Sequence, residues 1–208
     1  MSVFTKLNRD FYLRDTLLIA QELLGMVLVH NSEEGILGGE IVETEAYIGP
    51  DDAASHAFKG IKTPRTEVQF GVGGYSYVYK IYGMYDCFCI VTEPEGKPCV
   101  VLIRSLKPVI GIDLMMKYRR MNNITAKPNK RILQLCNGPS KLCKAMGITK
   151  EKHYGLDLCG DNIYISRFSR IDPEHIVAAK RVNIDYAGEM KNYLWRFYIS
   201  HCEYISRP

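Results

Sequence analysis

The spacing of apolar and polar residues changes several times along the chain, and each change marks an element. Behind Asp15 and Thr16, which suit a helix N-terminus, Leu17, Leu18, Ala20, Leu23 and Leu24 give a helix an apolar face, and Gly25 fits as its C′ residue. Met26–His30 then reads as a strand, Asn31–Gly35 as a polar turn and Glu40–Ile48 as a longer strand stopped by Gly49-Pro50, so the two pair as an antiparallel hairpin. Residues 49–74 are rich in glycine, proline and small side chains and read as an ordered loop region that carries function. Strands are predicted from Tyr75 and over Cys87–Thr92, joined by the tip Tyr82-Gly83-Met84-Tyr85, and again over Pro98–Ser105, near whose end lies Arg104. Pro108 starts a predicted helix to about Met121. A polar, mobile segment (Asn122–Asn129) and a short helix (Lys130–Cys136) follow, and Ser140 caps a helix over Lys141–Met146 that Gly147 ends. In the last third, Asp161–Arg167, Arg181–Ile184, Arg196–Ile199 and Glu203–Ser206 read as strands, with a short helix near Asp172–Ala178. With no internal repeat and no linker, the pattern predicts one α+β domain over residues 1–208.

Two stretches stand out chemically. Alternate side chains of a strand share a face, so Glu43, Glu45 and Tyr47 lie on one side of Glu40–Ile48 and Val42, Thr44 and Ala46 on the other. A carboxylate beside an aromatic ring suits acid–base work on a flat substrate; the alternative is an edge strand whose glutamates are solvated. The second stretch is the hairpin tip, which carries Tyr82, Met84 and Tyr85 where turns favour Gly, Asn, Asp and Pro. Such a tip costs solubility unless it is buried or inserted into something.

Composition narrows the classes. A chain of 208 residues, 47% hydrophobic, can bury a large core. Its start has no apolar signal segment, and no run approaches the roughly 18 apolar residues of a membrane span, so no membrane partner is expected. Seven cysteines in no regular framework predict a reducing intracellular location, cytoplasmic in a bacterium and nuclear in a eukaryote. Neither Cys87/Cys89 nor Cys136/Cys143 has zinc-site spacing, and no metal is expected. The net charge of +4 matters less than its placement. Between Leu114 and Lys150 lie nine basic residues (Lys117, Arg119, Arg120, Lys127, Lys130, Arg131, Lys141, Lys144 and Lys150) and no acid. Such a stripe either neutralises nucleic-acid phosphates or is a solvated positive face. A helix N-terminus beside Lys141 and Lys144 is a ready anion site.

The stretches Glu43-Thr-Glu-Ala-Tyr-x-Gly-Pro, Ala54-Ser-His, Thr63-Pro-Arg, Tyr77-Val-Tyr-x-Ile-Tyr-Gly-Met-Tyr, Leu102-Ile-Arg, Asn137-Gly-Pro-Ser-Lys-Leu-Cys and Arg181-Val-x-x-Asp-Tyr-Ala-Gly together resemble the alkyladenine (3-methyladenine) DNA glycosylases. The match is collinear from about Leu24 to Phe197. It implies a curved antiparallel sheet with helices around it and a pocket for one flipped-out damaged base. It further implies a monomeric enzyme that hydrolyses the N-glycosidic bond of damaged purines in double-stranded DNA without a cofactor. By the resemblance, Glu45 is the general base, and Arg104 and the Val182 carbonyl position the attacking water. Tyr47, His56 and Tyr79 form the walls on which the base stacks, backbone groups near Ala54 and His56 read its edge, and Cys89 sits in the pocket. Tyr82 fills the gap in the duplex with Met84 and Tyr85 beside it, and Arg65, Ser140, Lys141 and Lys144 meet the DNA backbone.

General chemistry supports this reading. A base inside a duplex must be extruded before its glycosidic bond can be attacked, and an aromatic wedge can fill the hole. A nearby carboxylate stabilises the oxocarbenium-like sugar left as the base departs. Glu43 is expected to be structural, Tyr75 and Tyr77 to serve packing, and Cys87 to act as a small buried hydrophobe. The chain departs from the family pattern at Cys89, where the family commonly has an Asn that helps exclude guanine. It departs also at Asp86, often apolar or aromatic, and at Asn183, often Gly. Two other functions fit part of the pattern. A non-catalytic module for damaged DNA or folded RNA has no use for Glu45 with Arg104, and a carbohydrate glycosidase built on Glu43 and Glu45 leaves the basic stripe and aromatic tip unexplained.

Overall fold

The structure is a computed structural model that describes residues 5–121 and 128–207, with the backbone alone at 128–130. Residues 122–127 of the polar segment, Lys127 among them, and the side chain of Lys130 lie outside the described residues. In chain order the elements are β1 (Thr5–Lys6), α1 (Arg9–Tyr12), α2 (Thr16–Glu22), β2 (Val27–Ser32), β3 (Gly35–Ile48), β4 (Ser76–Ile81), β5 (Tyr85–Thr92), β6 (Cys99–Ile110), α3 (Ile112–Tyr118), α4 (Pro128–Leu135), α5 (Pro139–Met146), α6 (Lys150–His153), β7 (Ile163–Arg167), β8 (Ile176–Ala179) and β9 (Arg196–Ile199). The strands form one open nine-stranded sheet, antiparallel at every described pairing, in the order β1-β7-β2-β3-β6-β5-β4 with β9 joined to β3 and β8 to β9. With six helices around it, this is the α+β class predicted.

The longest strand, β3, is the spine of the sheet. β6 runs along one edge, and the other is shared by β2, opposite Gly35–Glu40, and β9, opposite Glu43–Glu45. Every residue of β3 from Leu37 to Ala46 is buried. The β3·β6 register slips between Ile41 and Thr44. A bulge changes which residues share a face, and here Ile41 and Ala46 both join the main core although their numbers differ in parity. Thr44 reaches the same side, where its hydroxyl donates to the Ala20 carbonyl of α2. Glu43 and Glu45 are turned to the opposite side. There a smaller apolar cluster, including Tyr77, Cys89, Val100 and Leu102 with Tyr47 packed against it, borders the cavity described below.

Several local expectations need correction. The α2 face holds Ile19, Ala20, Leu23 and Leu24, while Leu18 points outward with 44% exposed. Pro108 does not start a helix. It lies in β6 opposite Gly39 at a register shift, where a residue without an N–H is tolerated. α3 begins after Gly111, which has a left-handed φ of +70° and where an added Cβ would lie only 2.5 Å from the Ile36 carbonyl oxygen. The cap of α5 is Gly138, with Pro139 at the first turn, so Ser140 is inside the helix and does not cap it. Residues 172–178 form a 3-10 turn, Pro173–His175, that runs into β8 instead of a longer helix. Arg181–Ile184 and Glu203–Ser206 are not strands. Their backbones instead donate to carboxylates of β3, Val182 to Glu45 and Ser206 to Glu43, which takes the place of ladder bonds.

Candidate active site

Glu43 and Glu45 are both fully buried. Glu43 Oε1 accepts from Arg104 Nε (2.9 Å), Arg196 Nη1 (3.0 Å) and Ser206 Oγ (2.9 Å). Its Oε2 accepts from Ser105 Oγ (3.1 Å) and the Ser206 N–H (2.6 Å). Burial alone would raise the Glu43 pKa, but the Arg104 charge and the bonds from Ser206 and Arg196 outweigh it and hold the carboxyl below its usual value. A carboxylate offers about four lone-pair sites, so five donors leave Glu43 nothing for a substrate. It is a structural anchor.

Glu45 is held differently. Oε1 accepts from the Val182 N–H (2.7 Å), and Oε2 accepts from the Tyr47 hydroxyl (2.8 Å) and lies 3.1 Å from Arg104 Nη1. Three of about four lone-pair sites are filled by protein, and the fourth is on Oε1 beside Val182. Burial and the Glu45 charge push the Tyr47 phenol well above its ordinary pKa, so it remains a donor. Burial works against the charge on Arg104, but Glu45 and Glu43 together raise its pKa and keep it cationic. Its third nitrogen, Nη2, donates to Ser206 Oγ (3.0 Å). One guanidinium therefore ties both carboxylates to the C-terminal segment.

A cavity of about 450 Å³ opens in front of this pair, large enough for a nucleobase and bounded by Tyr47, His56, Tyr79, Cys89, Arg104 and Val182. Strand alternation put Glu45 on the same face as Tyr47. In the structure it sits one layer further back, behind Tyr47, Arg104 and Val182, because Tyr47 turns its hydroxyl inward onto Glu45. His56 and Tyr79 meet edge to face at 4.7 Å and 89°, and Tyr79 stacks on Tyr77 at 5.2 Å. Tyr77 does more than pack, since its hydroxyl lies 2.9 Å from His56 Nδ1. Arg65 Nη2 donates to His56 Nε2 at 3.2 Å, which places the ring proton on Nδ1 toward Tyr77. Burial, with Arg65 beside it, lowers the His56 pKa to about 4, so the ring is neutral at pH 7. Arg65 also lies over the Tyr79 ring, so it belongs to the cavity wall as well as to the surface. Ala54 lines the cavity, but its N–H is already taken by Asp52 Oδ1 (3.0 Å). Cys89 is buried, and burial raises its thiol pKa well above the ordinary value.

At the rim stands the β4–β5 tip. Tyr82 is 86% exposed, Met84 66% and Tyr85 49%. Tyr82 and Gly83 have φ of +50° and +70°, the left-handed pair that a type I′ turn requires. A tyrosine there is strained, a feature that clusters at functional sites. Asp86, next to the tip, accepts from the Lys150 N–H at the start of α6 (3.0 Å). Pro139 and Ser140, in the first turn of α5, form another part of the rim, with Lys141 and Lys144 exposed on the same helix. Lys141 Nζ donates to Asn137 Oδ1 (2.8 Å). Asn183, next to Val182, also has a left-handed φ (+59°), which accounts for a position that glycine suits.

Four residues that hold the site together were missed from the sequence. Arg181 forks onto Asp52 (Nη2–Oδ1 2.8 Å), donates to the Ala46 carbonyl (2.9 Å) and lies over the rings of Tyr47 and Trp195. Asp52 in turn accepts from the N–H groups of Ile48 and Ala54, and so shapes the loop that carries His56. Arg196 and Ser206 complete the Glu43 cluster. The one signal was that Arg181 opens a stretch that carries the resemblance.

Comparison with known proteins gives the class: this is a DNA glycosylase, a hydrolase acting on N-glycosyl bonds and an enzyme of DNA repair, whose substrate is DNA. More particularly, the chain belongs to the family described as Methylpurine-DNA glycosylase (MPG), which matches residues 10–203. It is 48% identical over 201 residues to a protein of Desulfitobacterium hafniense that bears the name "Putative 3-methyladenine DNA glycosylase", covering 97% of this chain and 98% of that one. Proteins of the same name from Clostridium novyi (48% over 205 residues; 97% and 98% covered) and Alkaliphilus oremlandii (48% over 202 residues; 97% and 99%) are similar to the same degree. No described helix is long and apolar enough to cross a membrane.

Proposed function

We propose that this protein extrudes alkylated and deaminated purines of the 3-methyladenine, hypoxanthine and 7-methylguanine class from duplex DNA and releases them with a water activated by Glu45. The observation that carries the reading is the arrangement of Glu45 itself: a buried carboxylate gripped by Tyr47, Arg104 and Val182, with one lone-pair site left on Oε1 behind an aromatic cavity. Water donates one proton to that site while its oxygen bonds to C1′ of the sugar. The C1′–N bond breaks, its electron pair leaves with the base, and Glu45 holds the proton. Negative charge at Glu45 also favours the oxocarbenium-like sugar. The Val182 carbonyl and Arg104 orient the water. A base made cationic by alkylation leaves without protonation, so the cavity needs no general acid for it.

Tyr47, His56 and Tyr79 stack the base, while Tyr82, with Met84 and Tyr85, fills the duplex where the base has left. The first turn of α5 with Ser140, Lys141 and Lys144, and Arg65 on the opposite rim, hold phosphates. One copy carries every residue of the site, so the reading takes the enzyme as a monomer. The test is to incubate the protein with duplexes containing hypoxanthine or 3-methyladenine and measure free base. Release supports the reading; tight lesion binding without release would make the chain a non-catalytic binding module.

A further inference from the structure

Gln69 is the one residue of the cavity wall whose amide is out of water and left without a hydrogen bond. Its side chain is 1% exposed, and no described residue hydrogen-bonds either Oε1 or Nε2. The Tyr77 phenol is near enough to feel the amide, but the two do not meet at hydrogen-bonding geometry. The position is not a loose one. Gln69 sits in the 3-10 turn Glu67–Phe70, its own N–H donates to the Thr66 carbonyl, and the neighbouring Val68 N–H donates to the Tyr154 hydroxyl. Buried polar groups in folded proteins are overwhelmingly paired, and one that is not calls for an explanation. Here Gln69 is among the residues lining the cavity, together with His56, Tyr77 and Cys89.

We propose that the Gln69 carboxamide hydrogen-bonds the six-membered-ring edge of the extruded purine, making it a specificity-determining residue. This rests on the base-excision reading above. A carboxamide presents one donor and one acceptor side by side. It therefore matches bases that carry an acceptor and a donor on adjacent ring positions. Hypoxanthine does so with O6 and N1–H, and 3-methyladenine with N1 and the 6-amino group, the amide turning over to suit either order. Guanine shares the hypoxanthine pattern on this edge, so Gln69 does not exclude it. Purine lacking a 6-substituent offers N1 alone and leaves part of the amide unpaired. A site built around a hydrogen bond rejects ligands that lack the partner far more strongly than an apolar wall does. The amide is left unsatisfied in the empty enzyme and becomes satisfied when the base arrives.

The experiment compares wild type with Gln69→Met, which keeps length and volume but removes the donor–acceptor pair. Two duplexes differ only at one position, hypoxanthine or unsubstituted purine. Single-turnover release is measured at subsaturating enzyme, with equilibrium affinity substituted for whichever base is released too slowly. Gln69→Met should lower the hypoxanthine value by about 10–100-fold and the purine value by less than about threefold. Both values come from one preparation, so their ratio does not depend on the folded fraction. The thermal midpoint should hold or rise, because an unsatisfied amide has gone. An unchanged hypoxanthine-to-purine ratio, or an equal fall on both, overturns the role of Gln69 and leaves the glycosylase reading standing. If the wild type releases no base from any lesion duplex, it is the glycosylase reading that fails, and this proposal with it.

Discussion

Glu43 and Glu45 stand two residues apart on β3, share a face of the sheet and are equally hidden from solvent. Glu43 is walled in by five donors from three parts of the chain, the β6 pair Arg104 and Ser105, Arg196 of β9, and Ser206. Glu45 has three, one of them from the ring that forms a cavity wall, and keeps one acceptor site toward Val182. On the proposed mechanism, burial alone therefore does not mark the reactive carboxylate. What separates them is whether the lone pairs are all taken. The saturated one positions Arg104, and Arg104 positions the other.

Breaking the walled-in side should cost stability first. Glu43→Ala leaves the Arg196 guanidinium without a carboxylate and Arg104 with Glu45 alone, and removing one partner of a buried ion cluster costs about 3–5 kcal/mol. For a chain of this size the melting midpoint should fall by about 6–20 °C. A midpoint within about 2 °C of wild type would mean that the cluster is not an anchor. Acid should sharpen the same contrast. The Glu43 pKa is lowered in the fold, so its contribution is complete above the usual carboxylate value of 4.5 and is lost as pH falls below that through the folded pKa. His56 acts in a higher window. Its pKa drops from 6.5 to about 4, so the unfolded chain takes up the proton first and stability declines as pH falls from 6.5 toward 4. His30 and His153, also lowered by burial, add to that decline. Denaturant titrations across pH should show Glu43→Gln flattening only the lower part and His56→Phe only the upper; a reversed assignment contradicts the account.

On the open side the losses should concern lesions and spare the fold. Tyr82→Ala should weaken binding to lesion duplexes by about tenfold while non-specific binding changes little, because only the extruded state has a gap to fill. Alanine carries the same left-handed backbone cost as the tyrosine, and the side chain removed is 86% exposed, so the fold has no reason to suffer. A wild-type ratio of lesion to undamaged affinity in Tyr82→Ala would rule out the tip as wedge. The smallest effect belongs to Cys89. Asn in its place can exclude the guanine 2-amino group by bulk, whereas a thiol is smaller, so the present residue should tolerate guanines better. Cys89→Asn should lower the 7-methylguanine-to-hypoxanthine release ratio by a few-fold, below the about 10–200-fold that a whole methylene of misfit produces. No change in that ratio would show that position 89 does not gate guanine.

The legible parts of this protein were those written in local pattern. The β2–β3 hairpin, the strands about the tip and the cap of α2 by Asp15 follow from alternation and turn chemistry within a few residues. The bulge in β3 was not legible, because it is set by the partner strand β6. Pro108 misled for a related reason: its effect depends on whether the opposing backbone needs its N–H. The C-terminal stretches looked like strands, since nothing local says that their N–H groups answer to carboxylates about 140–160 residues away. The same holds for the site. The aromatic and acidic residues announced themselves by type, but Arg181–Asp52, Ser206 and the amide of Gln69 matter only through what folding brings beside them.

The division of labour between the two glutamates is tested most directly by single-turnover release of hypoxanthine from duplex DNA by Glu45→Gln, with the folded fraction and lesion affinity measured on the same sample. The amide keeps the shape of the carboxyl and loses the base. Release should fall by at least about 100-fold while melting midpoint and lesion binding stay near wild type. Release at close to the wild-type rate by a folded, lesion-binding Glu45→Gln protein would remove Glu45 from the chemistry and contradict the account.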